Sequence, residues 1–135
     1  MKIKGFVLFT LALIITTLTG CTSTNNQTAE DDSYIKLTAQ EAKAMMDGDD
    51  EIIVLDVRTQ EEYDSGHIEG AILIPENEIS KTAETVLTDK DAKILVYCRS
   101  GRRSAQAAEK LVELGYTSIY DFGGINSWEY DIVIK

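Results

Sequence analysis

The sequence is poor in the residues that build metal centres and nucleic-acid interfaces. It has one histidine, His67, and two cysteines, Cys21 and Cys98, far apart in the chain. No His/Cys cluster of metal-ligand spacing can be drawn from that supply, so no metal is expected. Positive charge is scarce as well: 13 Lys and Arg stand against 23 Asp and Glu, a formal charge of −10 at pH 7. A body this acidic is not expected to take nucleic acid or an anionic membrane as its partner. The apolar run from Phe6 to Leu18 falls short of the ~20 residues that a membrane-spanning helix needs. At 135 residues the chain has the length for one domain and not two, and it carries no internal repeat.

What is present is an alternation of strand and helix signals. Tyr34-Ile35-Lys36-Leu37 reads as a short strand. Thr38-Ala39-Gln40-Glu41 fits a capping box and starts a helix that ends near Gly48, with Met45 and Met46 as core filler. Ile52-Ile53-Val54-Leu55 is a continuous apolar run, typical of a strand covered on both faces, and it delivers Asp56 and Arg58 to its C-terminal end. Thr59-Gln60-Glu61-Glu62 is a second capping box, opening a helix that stops near Gly66. Ala71-Ile72-Leu73-Ile74 is the next strand, ended by Pro75. Ile79, Ala83, Val86 and Leu87 mark one face of a helix, and Thr88 to Lys93 is a charged loop. Ser118 to Phe122 forms the last strand, followed by Gly123-Gly124 and a short helix bearing Trp128, read as core. The alternation predicts an α/β fold, a parallel central sheet with helices on both faces. In such sheets ligands bind beyond the carboxyl ends of the strands, where Asp56, Cys98 and Gly123 are expected to converge.

The chain is organised around Ile94 to Ser104. Four residues suited to a buried strand, Ile94-Leu95-Val96-Tyr97, run straight into Cys98. Arg99, Ser100, Gly101, Arg102 and Arg103 follow, and then an alanine-rich amphipathic segment with Ala105, Ala108, Leu111, Val112 and Gly115 at helical spacing. Strand, tight loop, helix is the reading. Such a loop turns several backbone N–H groups toward one point, and the following helix adds its positive end. Cys98 is expected at the mouth of this anion cradle. Comparable sites hold a cysteine at a pKa of roughly 3.5–7.5 rather than about 8.5.

Cys98-Arg99-Ser100-Gly101-Arg102-Arg103-Ser104 resembles the active-site loop of single-domain rhodaneses, the thiosulfate and polysulfide sulfurtransferases. The resemblance covers nearly all of the chain after residue 33. It includes Leu55-Asp56-Val57-Arg58, Gly66-His67-Ile68-Glu69-Gly70-Ala71, Ile74-Pro75, and Gly123-Gly124 with Trp128, in matching order and spacing. It implies a rhodanese-like domain over residues 34–135, without cofactor, in which Cys98 is the nucleophile. The thiolate would take the outer sulfur of a small anionic donor such as thiosulfate, a persulfide or a polysulfide. A thiol, a cyanide-like acceptor or a protein would then remove it from the Cys98 persulfide. Arg99, Ser100, Gly101, Arg102 and Arg103 are the implied substrate-binding residues. Arg99 and Arg102 are expected to face the pocket mouth and hold the donor's sulfonate end. Arg103 is expected to turn inward to Asp56, which either braces the loop or takes part in the chemistry. Arg58 is expected to pair with Glu62, and His67 to belong to a structural turn. Asp131 stands where the family usually has glycine.

Two other readings are weighed against this one. Cysteine phosphatases and arsenate reductases of similar fold place five residues between cysteine and arginine. Here that arginine position is Ser104, which offers no guanidinium for a bidentate oxyanion contact. The second is a tethered sulfur carrier or docking module with little turnover of its own.

The first segment has another role. Met1-Lys2-Ile3-Lys4 is basic, the apolar run follows, and the layout is that of a secretory signal. Leu18-Thr19-Gly20-Cys21 resembles the bacterial lipoprotein cleavage box, which implies a signal peptide at residues 1–20 and lipidation of Cys21. The mature chain would then have 115 residues, and loss of Lys2 and Lys4 would take the charge from −10 to −12. With Cys21 blocked, no intramolecular disulfide could form. Residues 21–33, polar and acidic, read as a flexible tether reaching roughly 20 Å by random-coil scaling. The expected location is the extracytoplasmic side of a bacterial cell membrane, held by lipid.

Overall fold

The structure, a computed structural model, describes residues 33–48 and 51–135. The expected signal peptide, Cys21 and all of the expected tether except Ser33 lie outside the described residues. Among the described residues no helix is long and apolar enough to cross a membrane.

Among the described residues, strands and α-helices alternate as the hydrophobic pattern requires: β1 (Ile35–Lys36), α1 (Ala39–Gly48), β2 (Ile52–Asp56), α2 (Gln60–Ser65), β3 (Ile72–Leu73), α3 (Ile79–Val86), β4 (Lys93–Cys98), α4 (Arg102–Glu113) and β5 (Ile119–Gly124). The five strands form one parallel sheet in the order β1-β5-β4-β2-β3. β4 is central, flanked by β2 and β5, and this is the position that the most apolar run should occupy. Both capping boxes form. Thr59 Oγ1 accepts the Glu62 amide at 3.2 Å, and Glu62 Oε2 accepts the Thr59 amide at 3.1 Å. Thr38 and Glu41 do the same for α1.

The period of two along a strand sorts the core into two layers. Ile94, Val96 and Cys98 point to one face with Leu55 and Val57, under Ala83 of α3 and Ala107, Ala108 and Leu111 of α4. Leu95 and Tyr97 point to the other with Val54 and Phe122, against Ala42, Met45 and Met46 of α1 and Tyr63 of α2. Trp128 packs half-buried on that second layer, 5.7 Å from the Phe122 ring.

Three expectations need correction. The first and third strands are shorter than their apolar runs, although Leu37 N still bonds Asp121 O and Ile74 N bonds Asp56 O. Val86 is exposed, because α3 ends there and the turn swings Leu87 into the core instead. Trp128 follows a single 3₁₀ turn, Ile125–Ser127, and is not within it.

Candidate active site

Cys98 is the last residue of β4 and Arg102 the first of α4, so only three residues turn the chain between them. A turn this tight needs a left-handed residue, and Gly101 supplies it at φ 106°. The turn brings the Gly101 amide to donate to Cys98 Sγ at 3.0 Å. Ser104 Oγ lies 3.7 Å from the sulfur and donates toward the carbonyls of Gly101 and Gly123 at 3.0 and 3.1 Å. On the far side, the backbone of β5 lies close against the backbone of the loop. A Cβ on Gly124 would stand 2.3 Å from Arg99 O, so only glycine lets the two chains approach. The Asn126 amide then donates to that same oxygen at 3.2 Å.

Cys98 is 1 % exposed. The sulfur therefore lies on the floor of the cradle, not at its mouth, because the loop closes over the strand end. Burial by itself pushes the thiol up. The amides of Ser104, Gly101 and Ser100 and the Ser104 hydroxyl outweigh it and hold Cys98 below the ordinary cysteine value. A thiol so held ionises more readily than an ordinary one.

Arg99, in the loop, and Arg102, at the start of α4, are both exposed. Arg103 and Asp56 are not partners. Arg103 forms a two-pronged ion pair with Glu62, Nη1 to Oε2 at 2.7 Å and Nη2 to Oε1 at 2.8 Å. Arg103, in the first turn of α4, thus reaches the carboxylate in the first turn of α2. Glu62 is thereby held well below the usual carboxylate range, at about 2. Asp56 is fully buried and pairs with Arg58, not Arg103; Arg58 in turn does not reach Glu62. Arg58 Nε and Nη2 grip both Asp56 oxygens, and Nη2 also donates to Gly66 O at 2.7 Å. Burial works against the Arg58 charge, and the Asp56 hydrogen bonds outweigh it, keeping the guanidinium firmly protonated. His67 stacks on Tyr63 at 3.6 Å, its Nδ1 is 2.8 Å from Tyr63 O, and its backbone bridges to Val133. That is the structural turn expected for it.

The family model described as "Rhodanese-like domain" matches residues 38–131. The chain belongs to this family. The thiosulfate sulfurtransferase PspE of Escherichia coli (strain K12) is 44 % identical over 71 residues, covering 53 % of this chain and 68 % of that protein. The putative sulfur carrier protein YrkF of Bacillus subtilis (strain 168) is 34 % identical over 97 residues, 71 % of this chain and 51 % of its own length. The solved structure of a rhodanese with anions from E. coli superposes with a TM-score of 0.59 at 38 % identity, covering 62 % of this chain and 99 % of that one.

Three residues of this rhodanese-like domain escaped the sequence reading. Tyr97 looked like one more apolar strand residue, but its hydroxyl donates to Asp56 Oδ2 at 2.6 Å and accepts the Ile68 amide at 3.2 Å. Glu62 was read as a helix cap and as a partner for Arg58, not as the partner of Arg103. Ser104 was read as the end of the loop and as the place of a missing arginine, not as a hydroxyl beside the sulfur. Among the described residues no group of three or more His, Cys, Asp or Glu is placed to hold a metal. An open groove of about 530 Å³ lies away from the Cys98 loop, between α1 and the C-terminal segment, bordered by Met46, Ile68 and Trp128.

Proposed function

We propose that this rhodanese-type sulfurtransferase carries the transferred sulfur as a persulfide on Cys98. The Cys98 thiolate attacks the outer sulfur of thiosulfate, or of a persulfide or polysulfide. With thiosulfate, a Cys98–S bond forms, the S–S bond of the donor breaks with its electron pair going to sulfite, and the persulfide keeps one negative charge. A thiol or cyanide then attacks the outer sulfur and returns Cys98 to thiolate. The reaction is covalent catalysis in two steps. The single observation that carries it is the Gly101 amide at 3.0 Å from Cys98 Sγ, in a loop whose other amides turn the same way. Donors fixed before the reaction stabilise sulfur anions without reorganisation.

The loop disfavours phosphatase or arsenate reductase chemistry. Ser104 is spent on backbone carbonyls, and Arg103 is spent on Glu62, so no guanidinium forks into the cradle. A sulfur carrier serving one protein acceptor is the second reading, supported by the likeness to YrkF. Attachment to the outer face of a bacterial membrane through lipid on Cys21 belongs to the same proposal, supported by Leu18-Thr19-Gly20-Cys21.

Sulfite release tests the reading. Mixed with thiosulfate alone, the protein should liberate about one sulfite per chain in a burst, and Cys98→Ser none. Continued turnover when cyanide or a small thiol is added marks the enzyme. A burst with no turnover marks the carrier. No burst contradicts both.

A further inference from the structure

Three arginines follow Cys98, yet they do not offer three positive charges to an anion. Arg103 is engaged at both Nη atoms by Glu62. Glu62 is itself fixed from behind, because its Oε2 also caps the Thr59 amide at 3.1 Å while its own amide bonds Thr59 Oγ1. The carboxylate is therefore built into the start of α2 and cannot drift away when an anion arrives. It is also ionised throughout the working pH range, since Arg103 keeps it at about 2. Arg103 in turn is close enough to Cys98 for the sulfur's charge to favour the guanidinium's charged form. Both side chains are only 25 % exposed, so water and salt screen them incompletely.

We infer that Glu62 is a specificity-determining residue: by cancelling the charge of Arg103 beside the nucleophile, it sets the site for singly charged sulfur donors, such as organic persulfides and thiosulfonates, over dianionic thiosulfate. The inference rests on the sulfurtransferase reading above. The physics is a matter of charge multiplied by potential. One unit of positive potential added at the pocket edge helps a dianion twice as much, in free energy, as a monoanion. If it tightens the monoanion by some factor, it tightens the dianion by the square of that factor. For one unit charge near a protein surface that means roughly three- to fivefold for the monoanion and about nine- to twenty-fivefold for the dianion.

The experiment compares thiosulfate with methanethiosulfonate as donors in single-turnover sulfur loading of Cys98, reading the half-saturating concentration of each. Glu62→Gln is the informative variant, because glutamine preserves the capping box while removing the charge. The half-saturating thiosulfate concentration should fall by the larger factor and that of methanethiosulfonate by the smaller, and added salt should shrink the difference. Arg103→Gln leaves the carboxylate uncompensated and should move the discrimination the opposite way. The double variant Glu62→Gln/Arg103→Gln restores the charge balance and should return the native ratio. If Glu62 only braces the loop, both donors change by the same factor and the double variant does not recover; that result, or an unmoved ratio in the single variants, overturns the inference while leaving sulfur transfer intact. If the native protein is loaded by neither donor, the sulfurtransferase reading fails and takes this inference with it.

Discussion

Tyr97 Oη stands 2.6 Å from Asp56 Oδ2, tying the end of β4 to the end of β2 one residue before Cys98. The same hydroxyl accepts the Ile68 amide, so three segments meet at one oxygen. Burial, together with the neighbouring carboxylate, pushes the Tyr97 phenol up and keeps it a proton donor. Asp56, Arg58 and Tyr97 form a brace buried under the loop, with no member left unpaired.

The first prediction concerns that brace. Tyr97→Phe leaves an Asp56 oxygen and the Ile68 amide short of a partner, a cost of about 1–3 kcal/mol. Asp56→Ala leaves the Arg58 charge buried and alone, a cost of about 3–5 kcal/mol. Melting temperatures should fall in that order. Asp56→Ala and Arg58→Ala should be strongly non-additive, whereas Asp56→Ala and Arg103→Ala should add. Additivity within the Asp56–Arg58 pair would show that the brace is not a unit.

The second concerns the exposed arginine. Arg102 begins α4 beside the cradle. If it holds the sulfonate end of thiosulfate, Arg102→Ala loses a charge-assisted contact of roughly 1.5–3 kcal/mol. KM for thiosulfate should rise about tenfold or more with the melting temperature unchanged. An unchanged KM would place the donor on backbone amides alone.

How much of this was readable in advance differs from one residue to the next. The sheet, its two-sided cover and the Cys98 loop follow from local signals: apolar runs, capping boxes and a glycine at the turn. The Asp56–Arg58 pair was readable too, since residues two apart at a strand end lie on one face, and attention to that period would have found it. The Arg103–Glu62 pair was not. It joins positions 41 apart, and the sequence shows only that each side chain lies in the first turn of a helix. Tyr97 was hidden for a related reason: in an apolar strand nothing local distinguishes a packed ring from one whose hydroxyl has a buried partner 41 residues away.

The third prediction concerns pH. Cys98 is held below the ordinary cysteine value by loop amides and Ser104. Its alkylation rate against pH should show a midpoint lower than that of an ordinary thiol. Ser104→Ala should move the midpoint upward, because the polar Ser104 hydroxyl 3.7 Å from the sulfur, which helps to lower the Cys98 value, is gone. The sign for stability follows from the lowered value. The folded state releases the proton first, so the contribution is complete above the unfolded cysteine's pKa. It is lost as pH falls through the folded one. Cys98→Ser should abolish that segment of the pH–stability curve. A midpoint at or above the ordinary value would mean that the cradle does not activate the thiol.

The fourth concerns location. A diacylated cysteine carries two chains, enough for stable membrane attachment. Cys21→Ser should release the domain from membranes or leave the precursor uncleaved. Mature mass and membrane partition unchanged in that variant would contradict lipid anchoring.

The central claim is that sulfur rides on Cys98. Mass spectrometry of the intact protein after incubation with thiosulfate and removal of excess donor tests it most directly. The account predicts a gain of one sulfur atom, located on the peptide that contains Cys98, absent from Cys98→Ser, and discharged by cyanide. A native protein that gains no sulfur, or one whose gain persists in Cys98→Ser, would contradict it.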